Sequence, residues 1–156
     1  MNNIIFYQAT LNDIELLVDM RVKDLKMFSD KIIEKETIIN IRSFFKSKLT
    51  TNECITILAF LDQQIIATGS IYYYDVMPSN ENPTGKVGQF TNIWVDENYR
   101  GKGIAKSIIQ QLMEKSNYLV GLYCLNSSKE ATGMYEKLGF SYNEHYMIYK
   151  NERKKI

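Results

Sequence analysis

The chain contains few of the residues that mark metal centres, disulfide scaffolds or interdomain linkers. Its 156 residues include one histidine, two cysteines and two prolines. The two cysteines, Cys54 and Cys124, have no metal-ligand spacing and lie in apolar, strand-like runs, so we predict no metal site and two buried free thiols in a reducing compartment. Pro78 and Pro83 fall in one loop, and neither a repeat nor a linker divides the chain.

Net charge and long apolar runs are also scarce. Lys and Arg number 19 and Asp and Glu 18, which leaves a formal charge of +1 and no long-range field for nucleic acid or anionic lipid. No run approaches the ~18 apolar residues of a membrane span, and residues 1–3 do not resemble a signal peptide. We therefore expect a cytoplasmic protein with no nucleic-acid or membrane partner. The basic run 153–155 is short and is interpreted as solvated.

The length and the periodicity predict one α/β domain, residues 1–150, followed by a charged tail, 151–156. The predicted elements are a strand at 4–8, helices at 14–28 and 34–49, strands at 54–61, 65–74 and 90–95, a helix from 104, a strand at 118–125, a helix from 127 or 128 to 138, and a hairpin of 140–142 and 146–150. Thr10 and Asp13 are predicted to cap the first helix, and Gly139 the last. The strands at 90–95 and 118–125 should be parallel, in a mixed sheet with helices on both faces.

The most informative stretch runs from Gln89 to Met113, where a strand, a glycine-containing turn and a helix follow one another. The turn is Arg-Gly-Lys-Gly-Ile-Ala, residues 100–105. The first turn of a helix has main-chain N–H groups without partners and a partial positive charge, and glycine lets a ligand approach them. The stretch therefore predicts a site for a phosphate or a diphosphate.

Two familiar phosphate motifs do not fit this turn. A P-loop requires Gly-Lys followed directly by Ser or Thr, but Ala105 precedes Lys106, and Arg100 stands where the first glycine of the motif is expected. A dinucleotide fingerprint requires three glycines, whereas only Gly101 and Gly103 are present.

The pattern Arg-x-x-Gly-x-Ala, formed by Arg100, Gly103 and Ala105, resembles the acyl-coenzyme A signature of the GCN5-related N-acetyltransferase (GNAT) superfamily. A second match follows about twenty residues later, in the order expected for that superfamily. It has the pattern Asn-x-x-x-x-Ala-x-x-x-Tyr-x-Lys-x-Gly-Phe and is formed by Asn126, Ala131, Tyr135, Lys137, Gly139 and Phe140. The resemblance extends over nearly the whole chain and is weakest in the first two helices and in the loop 78–88.

The resemblance implies a GNAT-like single domain, with a mixed, mostly antiparallel twisted sheet whose central parallel strands splay apart. Acetyl-coenzyme A would be the co-substrate, with its diphosphate on the turn and its pantetheine arm along a bulged central strand. The residues assigned to coenzyme A by the resemblance are Ile93, Trp94, Val95, Arg100, Gly101, Lys102, Gly103, Ile104, Ala105 and Asn126. The side chains of Arg100, Lys102 and Lys106 fit phosphate contacts and solvated cations equally well. Asn126 fits a pantetheine contact and a helix cap equally well.

Tyr135 matches the position of the acid that protonates the departing thiolate, and the competing interpretation is a core tyrosine. No residue has motif support as the base, and for every candidate the structural interpretation is favoured. The candidates are Glu53, Tyr72, Tyr73, Tyr74, Asp75, Asn92 and His145. Cys124 could carry an acyl group, but its apolar strand favours an inert thiol and direct attack by the amine.

The sequence therefore predicts an acyl-coenzyme A dependent N-acyltransferase that acetylates a primary amine of a small molecule or a peptide. The alternative from another class is a catalytically silent acyl-coenzyme A sensor or protein-interaction module on the same fold. Many such domains pair, so the resemblance also allows a homodimer. The sequence does not identify the acceptor.

Overall fold

The structure, a computed structural model, describes residues 3–116 and 119–152. Contacts divide the chain into two units, Met1–Asn126 and Ser127–Ile156, and each is described by itself. No helix among the described residues is both long enough and apolar enough to cross a bilayer.

The first unit consists of a sheet and three long helices. Its elements are β1 (Ile5–Gln8), α1 (Ile14–Met27), α2 (Lys35–Thr50), β2 (Cys54–Leu61), β3 (Gln64–Asp75), β4 (Lys86–Val95), α3 (Ile104–Lys115) and β5 (Val120–Cys124). The strands lie in the order β1-β2-β3-β4-β5, and every neighbouring pair is antiparallel except β4 and β5, which are parallel. The predicted mixed, mostly antiparallel sheet with a parallel pair is confirmed.

The predicted cap of the first helix is also confirmed. The Thr10 hydroxyl accepts a hydrogen bond from the Asn12 N–H at 3.3 Å, and the Asp13 carboxylate accepts one from the Thr10 N–H at 2.7 Å. This reciprocal arrangement satisfies N–H groups that a helix start leaves without partners. A short 3-10 turn, Leu11–Asp13, then leads directly into α1.

Helices cover both faces of the sheet, as predicted. On one face, Cys54 and Leu58 of β2 share a buried cluster with Leu17 of α1 and Phe45 of α2. On the other face, the hydroxyl of Tyr73 in β3 lies 2.7 Å from Oγ of Ser116, just beyond α3. Successive side chains of a strand point to opposite faces, which explains how β2 and β3 contribute to both layers.

The boundaries of the parallel pair differ from the predicted ones. β4 begins at Lys86, inside the predicted loop, because Val76 N–H bonds the Gly85 carbonyl at 2.8 Å and Lys86 pairs with Asp75 of β3. An ion pair of 2.7 Å between the Lys86 and Asp75 side chains supports that first rung. β5 lies within the predicted range, and Tyr118, where the predicted strand began, is outside the described residues.

The second unit contains one helix, α4 (Thr132–Lys137), within its described residues. The helix starts later than predicted because Ser128 satisfies the preceding turn locally: its carbonyl accepts from the Ala131 N–H at 3.2 Å and from the Thr132 hydroxyl at 3.0 Å. At the other end, Gly139 has a φ of +103°, and Phe140 N–H bonds the Tyr135 carbonyl at 3.0 Å. This geometry confirms Gly139 as the terminating glycine.

The predicted final hairpin of 140–142 and 146–150 is wrong for the described residues, where 140–152 contain no strand. Local contacts satisfy this segment instead: Asn143 Oδ1 accepts from the His145 N–H at 3.3 Å, and the hydroxyls of Tyr142 and Thr132 lie 2.8 Å apart. A two-residue hairpin turn favours Asn-Gly or a similar pair, and the sequence Asn143-Glu144-His145 has no glycine.

Candidate active site

A β-bulge interrupts β4 near its carboxyl end. Thr68 of β3 pairs with Trp94 and Ser70 pairs with Thr91, so Gly69 alone faces two residues of β4, Asn92 and Ile93. Asn92 has a φ of +54°, in the left-handed region that a bulge residue can adopt. The bulge implied by the family resemblance is therefore present, although the strand-like sequence gave no sign of it.

Glycine is required opposite the bulge. A Cβ on Gly69 would lie 2.9 Å from Cδ1 of Ile93 and 2.5 Å from Cγ2 of Ile108 in α3. Both distances are too short for a real side chain, so the absence of a Cβ at Gly69 lets the bulge and α3 approach the same point of the sheet. The Ile93 side chain consequently lies on the α3 face.

The parallel partner of β4 ends before the bulge. The last rung between β4 and β5 joins Gln89 to Cys124, whereas pairing with β3 continues as far as Val95. Asp96 N–H bonds the Ile66 carbonyl at 2.8 Å, and because polar groups of successive strand residues point to alternate edges, those of Val95 point away from β3. Residues 90–95 therefore present an open edge to an extended ligand.

The turn that follows β4 has two glycines in the left-handed region. The φ angles of Gly101 and Gly103 are +75° and +78°, and a Cβ built on either would meet nothing within 4 Å. Backbone conformation, rather than crowding by the protein, therefore favours glycine at these positions. The space beside both residues is open.

The amino terminus of α3 has uncompensated positive character. α1 and α2 have Glu15 and Glu36 in their first turns, whereas α3 has no acidic residue there, and its N-cap, Gly103, has no side chain that could cap it. The first intrahelical bond runs from Ser107 N–H to the Gly103 carbonyl at 3.0 Å, so the three preceding N–H groups have no helical partner. These features suit an anion.

The three cations of this region have different surroundings. Arg100 Nε donates to the Val95 carbonyl at 3.0 Å and thereby ties the turn to the end of β4. Lys102 Nζ lies 5.4 Å from the centre of the Tyr99 ring, within cation–π range. Lys106, in the first turn of α3, is exposed.

The predicted coenzyme A residues fall into three segments of the first unit. Residues 93–95 form the end of β4, residues 100–105 follow directly, and Asn126 is exposed, two residues beyond β5. The interpretation of Asn126 as a helix cap is wrong, because the N-cap of α4 is Ala131. Its proposed contact with pantetheine stays a prediction.

Tyr135 belongs to the second unit, where it lies in α4 and is 7% exposed. Its ring packs edge-on against Phe140, with 6.0 Å between the centres. Burial of this kind agrees with both interpretations of the residue, and its role as an acid stays a prediction.

Arg21 of α1 is the residue that sequence reasoning missed. Its Nη1 donates to Thr91 Oγ1 at 3.2 Å and to Asn92 Oδ1 at 3.0 Å, and it also contacts Asp24 Oδ2 at 3.3 Å. The bulge turns Thr91 and Asn92 toward the same helix, and Arg21 holds both side chains. The available signal was an arginine within the apolar stripe of the first helix, which indicates a polar partner in the core.

The carboxyl group of Asp24 is unusual for a helix residue. Its side chain is 14% exposed, and burial raises its pKa, while the Arg21 charge acts in the opposite direction. Glu15 on the same helix is exposed, and a hydrogen bond from Arg42 lowers its pKa.

Three of the residues considered as a base have polar atoms that contact neighbouring side chains, as a structural role requires. Glu53 bonds the Thr51 hydroxyl at 2.7 Å and Lys48 Nζ at 3.1 Å, and these contacts lower its pKa. The Tyr73 hydroxyl contacts Ser116, and the Tyr74 hydroxyl donates to Gln89 at 3.2 Å.

The two thiols differ from each other. Cys54 is buried, as predicted, and burial raises its pKa to about 11. Cys124 is only partly buried, and its Sγ donates to Gln89 Oε1 at 3.0 Å, so the prediction of an apolar environment is wrong for this thiol. Among residues 3–116 and 119–152, no group of three or more His, Cys, Asp or Glu could hold a metal ion.

Comparisons with known proteins agree with this geometry. The family model described as the acetyltransferase (GNAT) family matches residues 20–140. A glucosamine 6-phosphate N-acetyltransferase of Trypanosoma brucei brucei is 41% identical over 63 residues, which cover 39% of this chain and 42% of that protein, less than half of its length.

Solved structures give a longer match. A predicted acetyltransferase from Clostridium acetobutylicum, crystallised with acetyl-CoA, has a TM-score of 0.85 and 28% identity, with 95% of this chain and 96% of that one covered. A glucosamine-6-phosphate N-acetyltransferase from Arabidopsis thaliana has a TM-score of 0.68 and 19% identity, with 97% and 100% covered, and shows likeness in fold.

Proposed function

The chain belongs to the GNAT acetyltransferase family, and from this premise we propose that it transfers the acetyl group of acetyl-coenzyme A to a primary amine. One observation carries the proposal: a strand opened by a bulge and by the early end of its neighbour leads directly into a glycine turn and a helix start without an acidic residue. The open edge suits an extended amide-containing arm, and the helix start suits a diphosphate. Coenzyme A contains both groups.

In this proposal the diphosphate lies on main-chain N–H groups of the turn. The residues concerned are Gly101, Lys102, Gly103, Ile104 and Ala105, with Lys106 adding charge from the first turn of α3. The open space beside both glycines is the fit that supports this assignment. Arg100 contributes by holding the turn to Val95.

The pantetheine arm would run along the open edge of β4. Main-chain groups of Ile93 and Val95 are its proposed partners, with Trp94 lying between them and Asn126 contributing from the end of β5. Arg100 already takes one acceptor position of the Val95 carbonyl. A main-chain N–H at the bulge would stabilise the oxyanion that forms on the thioester carbonyl, a contribution worth about 10²-fold or more in rate.

Tyr135 is the proposed acid. As the carbon–sulfur bond breaks, the sulfur leaves as a thiolate whose parent thiol has a pKa near ~8.5, and a phenolic hydroxyl can protonate it. Support comes from the match of this residue to the family pattern. The bound acetyl-CoA of the Clostridium acetobutylicum protein supports the choice of donor.

The test is acetyl transfer by the purified protein. Calorimetry would measure acetyl-CoA affinity, and thiol release would be followed with a panel of ethanolamine, putrescine, glucosamine and alanine amide. We expect binding, together with amine-dependent thiol release and one acetylated amine per thiol, checked by mass spectrometry. Binding without turnover for any amine would favour the sensor, and no binding by the folded protein would contradict the proposal.

Direct attack by the amine is tested with Cys124→Ser. Its Sγ is engaged by Gln89, and we assign it no role in the reaction, so turnover should persist. Rapid quenching with acetyl-CoA alone should leave both forms unacetylated. An acetylated wild-type protein, absent in the serine variant, would establish an acyl-enzyme route instead.

A further inference from the structure

Asp24 lies beside the bulge, on the face of the sheet that α1 covers. Its Oδ2 is 3.3 Å from Arg21 Nη1, and the same nitrogen is 3.0 Å from Oδ1 of Asn92, the bulge residue. A carboxylate is therefore fixed two contacts away from the strand position where the thioester is proposed to react.

This carboxylate is poorly compensated for its burial. Arg21 Nη1 is shared among Asp24, Thr91 and Asn92, and it reaches Asp24 through one oxygen only. The pair Arg42–Glu15, in contrast, is bidentate, at 2.7 and 3.0 Å, and its side chains are 42% and 71% exposed. A carboxylate that is mostly buried and held by one hydrogen bond is costly, so it indicates a functional site more strongly than an exposed bidentate pair does.

One oxygen of Asp24 remains open to a ligand. No described residue donates to Oδ1, and no buried side-chain oxygen of the described residues lacks a partner, so Oδ1 reaches solvent. Thr91 and Asn92, which face α1 from the sheet, are uncharged. Tyr72 of β3 is within reach of the Arg21 charge, and burial raises its pKa further above neutrality, so the phenol stays neutral at physiological pH.

We propose that Asp24 binds the ammonium group of the acceptor through Oδ1 and removes its proton, with Arg21 as the positioning residue that holds the carboxylate beside the bulge. The inference rests on the proposed function and adds the base to it. An amine is the chemistry that such an oxygen recognises, because an ammonium group is a compact donor of three hydrogen bonds.

The proton balance is complete. One proton passes from the ammonium to Asp24, and the freed lone pair forms the carbon–nitrogen bond as the carbon–sulfur bond breaks. The sulfur takes up one proton, for which the proposed function names Tyr135 as the donor, and the second proton of the nitrogen leaves to solvent, from which that donor is reprotonated. Asp24 then releases its proton to solvent, so the net reaction yields an amide, a thiol and one proton.

The kinetic test compares Asp24→Asn with Glu15→Gln, a matched loss of a carboxylate from an ion pair on the same helix. We expect Asp24→Asn to lower kcat/KM for the amines by about 10²-fold or more and to abolish the acidic limb of its pH profile. Acetyl-CoA affinity should be unchanged in both variants, and Glu15→Gln should keep its activity. If Asp24→Asn retains the wild-type rate and pH profile, the inference is wrong.

A binding test is independent of turnover. In protein labelled with carbon-13 at aspartate carboxyl groups, ethylammonium chloride should shift the Asp24 resonance, identified by its loss in Asp24→Asn, and tetramethylammonium chloride should not. An unmoved resonance at saturating salt, or equal shifts with both salts, would overturn the inference. A wild-type protein that shows the ethylammonium response but does not bind acetyl-CoA would contradict the proposed function while leaving the ammonium site in place.

Discussion

The two halves of β4 differ in what each edge contacts. Residues 86–89 pair with β3 on one edge and with β5 on the other, whereas residues 90–95, within the described part of the chain, pair only with β3 and contain the bulge. The first half contributes to the core, with Val87 buried and Gly88 close to Tyr123. The second half exposes main-chain groups and directs Thr91 and Asn92 to Arg21.

This difference shows how a strand can serve as both scaffold and binding surface. One extra residue and the early end of a neighbouring strand are sufficient to open an edge, and no side chain with special chemistry is needed. Substitutions in the first half should therefore change stability alone, whereas those in the second half should change ligand binding and turnover as well as stability.

The largest expected effect is that of Asn92→Val. A β-branched residue with positive φ and the loss of a buried hydrogen bond should each destabilise the fold by about 1–2 kcal/mol, and the bulge should rearrange. Acetyl transfer should fall by about 10²-fold or more, because the oxyanion donor moves. Urea unfolding and thiol release would measure the two effects.

Val87→Ala is the control from the paired half. It should cost about 2 kcal/mol of stability by removing buried methyl groups, but it should keep acetyl transfer under folding conditions. If the two variants lose activity in proportion to their stability, the functional division of β4 is contradicted.

Tyr135→Phe tests the second unit. Without its acid the enzyme should lose about 10²-fold in kcat at neutral pH, with unchanged affinity for acetyl-CoA. The deficit should shrink above a pH of ~8.5, where the thiolate leaves without a proton. A variant with the wild-type kcat at all pH values would show that Tyr135 serves packing alone.

Lys106→Glu tests the helix start next to the open half. An acidic residue in the first turn should stabilise α3 by about 0.3–1 kcal/mol, yet it should weaken acetyl-CoA binding by roughly tenfold through repulsion of phosphate. Lys106→Gln, which removes charge without reversing it, should show a smaller loss of affinity. In Lys106→Glu the affinity for acetyl-CoA, measured by calorimetry, should therefore fall while the unfolding temperature rises. Tighter binding of acetyl-CoA by this variant would exclude a phosphate at this position.

The smallest effect concerns stability against pH. Asp24 has a raised pKa in the folded state, so stability falls as pH rises through that pKa, and Asp24→Asn should unfold at a higher temperature than the wild type at neutral pH. Glu15 has a lowered pKa, so its contribution is present above its unfolded pKa and is lost as pH falls through the folded value. Glu15→Gln should therefore unfold at a slightly lower temperature than the wild type at neutral pH. At low pH the unfolding temperatures of both variants should approach that of the wild type. A change of unfolding temperature in the same direction for both variants would contradict this assignment.

Local patterns in the sequence predicted most of the fold. The cap formed by Thr10 and Asp13, the strands β2 and β3 and the turn after β4 each depend on neighbouring residues, and each was confirmed. The predicted final hairpin is wrong because the two short apolar runs, 140–142 and 146–150, have no turn between them that could join two strands. Helix α4 was predicted too long because hydrogen bonding around Ser128 competes with the helix.

The candidate site was less predictable. A bulge depends on register with β3, and the β-branched and aromatic composition of residues 90–95 is the same with or without it. The contact between Arg21 and Asn92 joins positions 71 residues apart, and a single sequence contains no information on such a pair. The glycine turn was found because its conformational requirement is visible in the residues themselves.

The most direct test of the central claim is a nitrogen-15 NMR titration of the assigned protein with acetyl-CoA. The account predicts that the amide signals of residues 93–95 and 101–106 shift most. A depression at the start of β2 is lined by Ala9, Leu49 and Cys54, among others. The amide signals of the residues around it should not shift. Shifts confined to that depression, or none at saturating acetyl-CoA, would contradict the account.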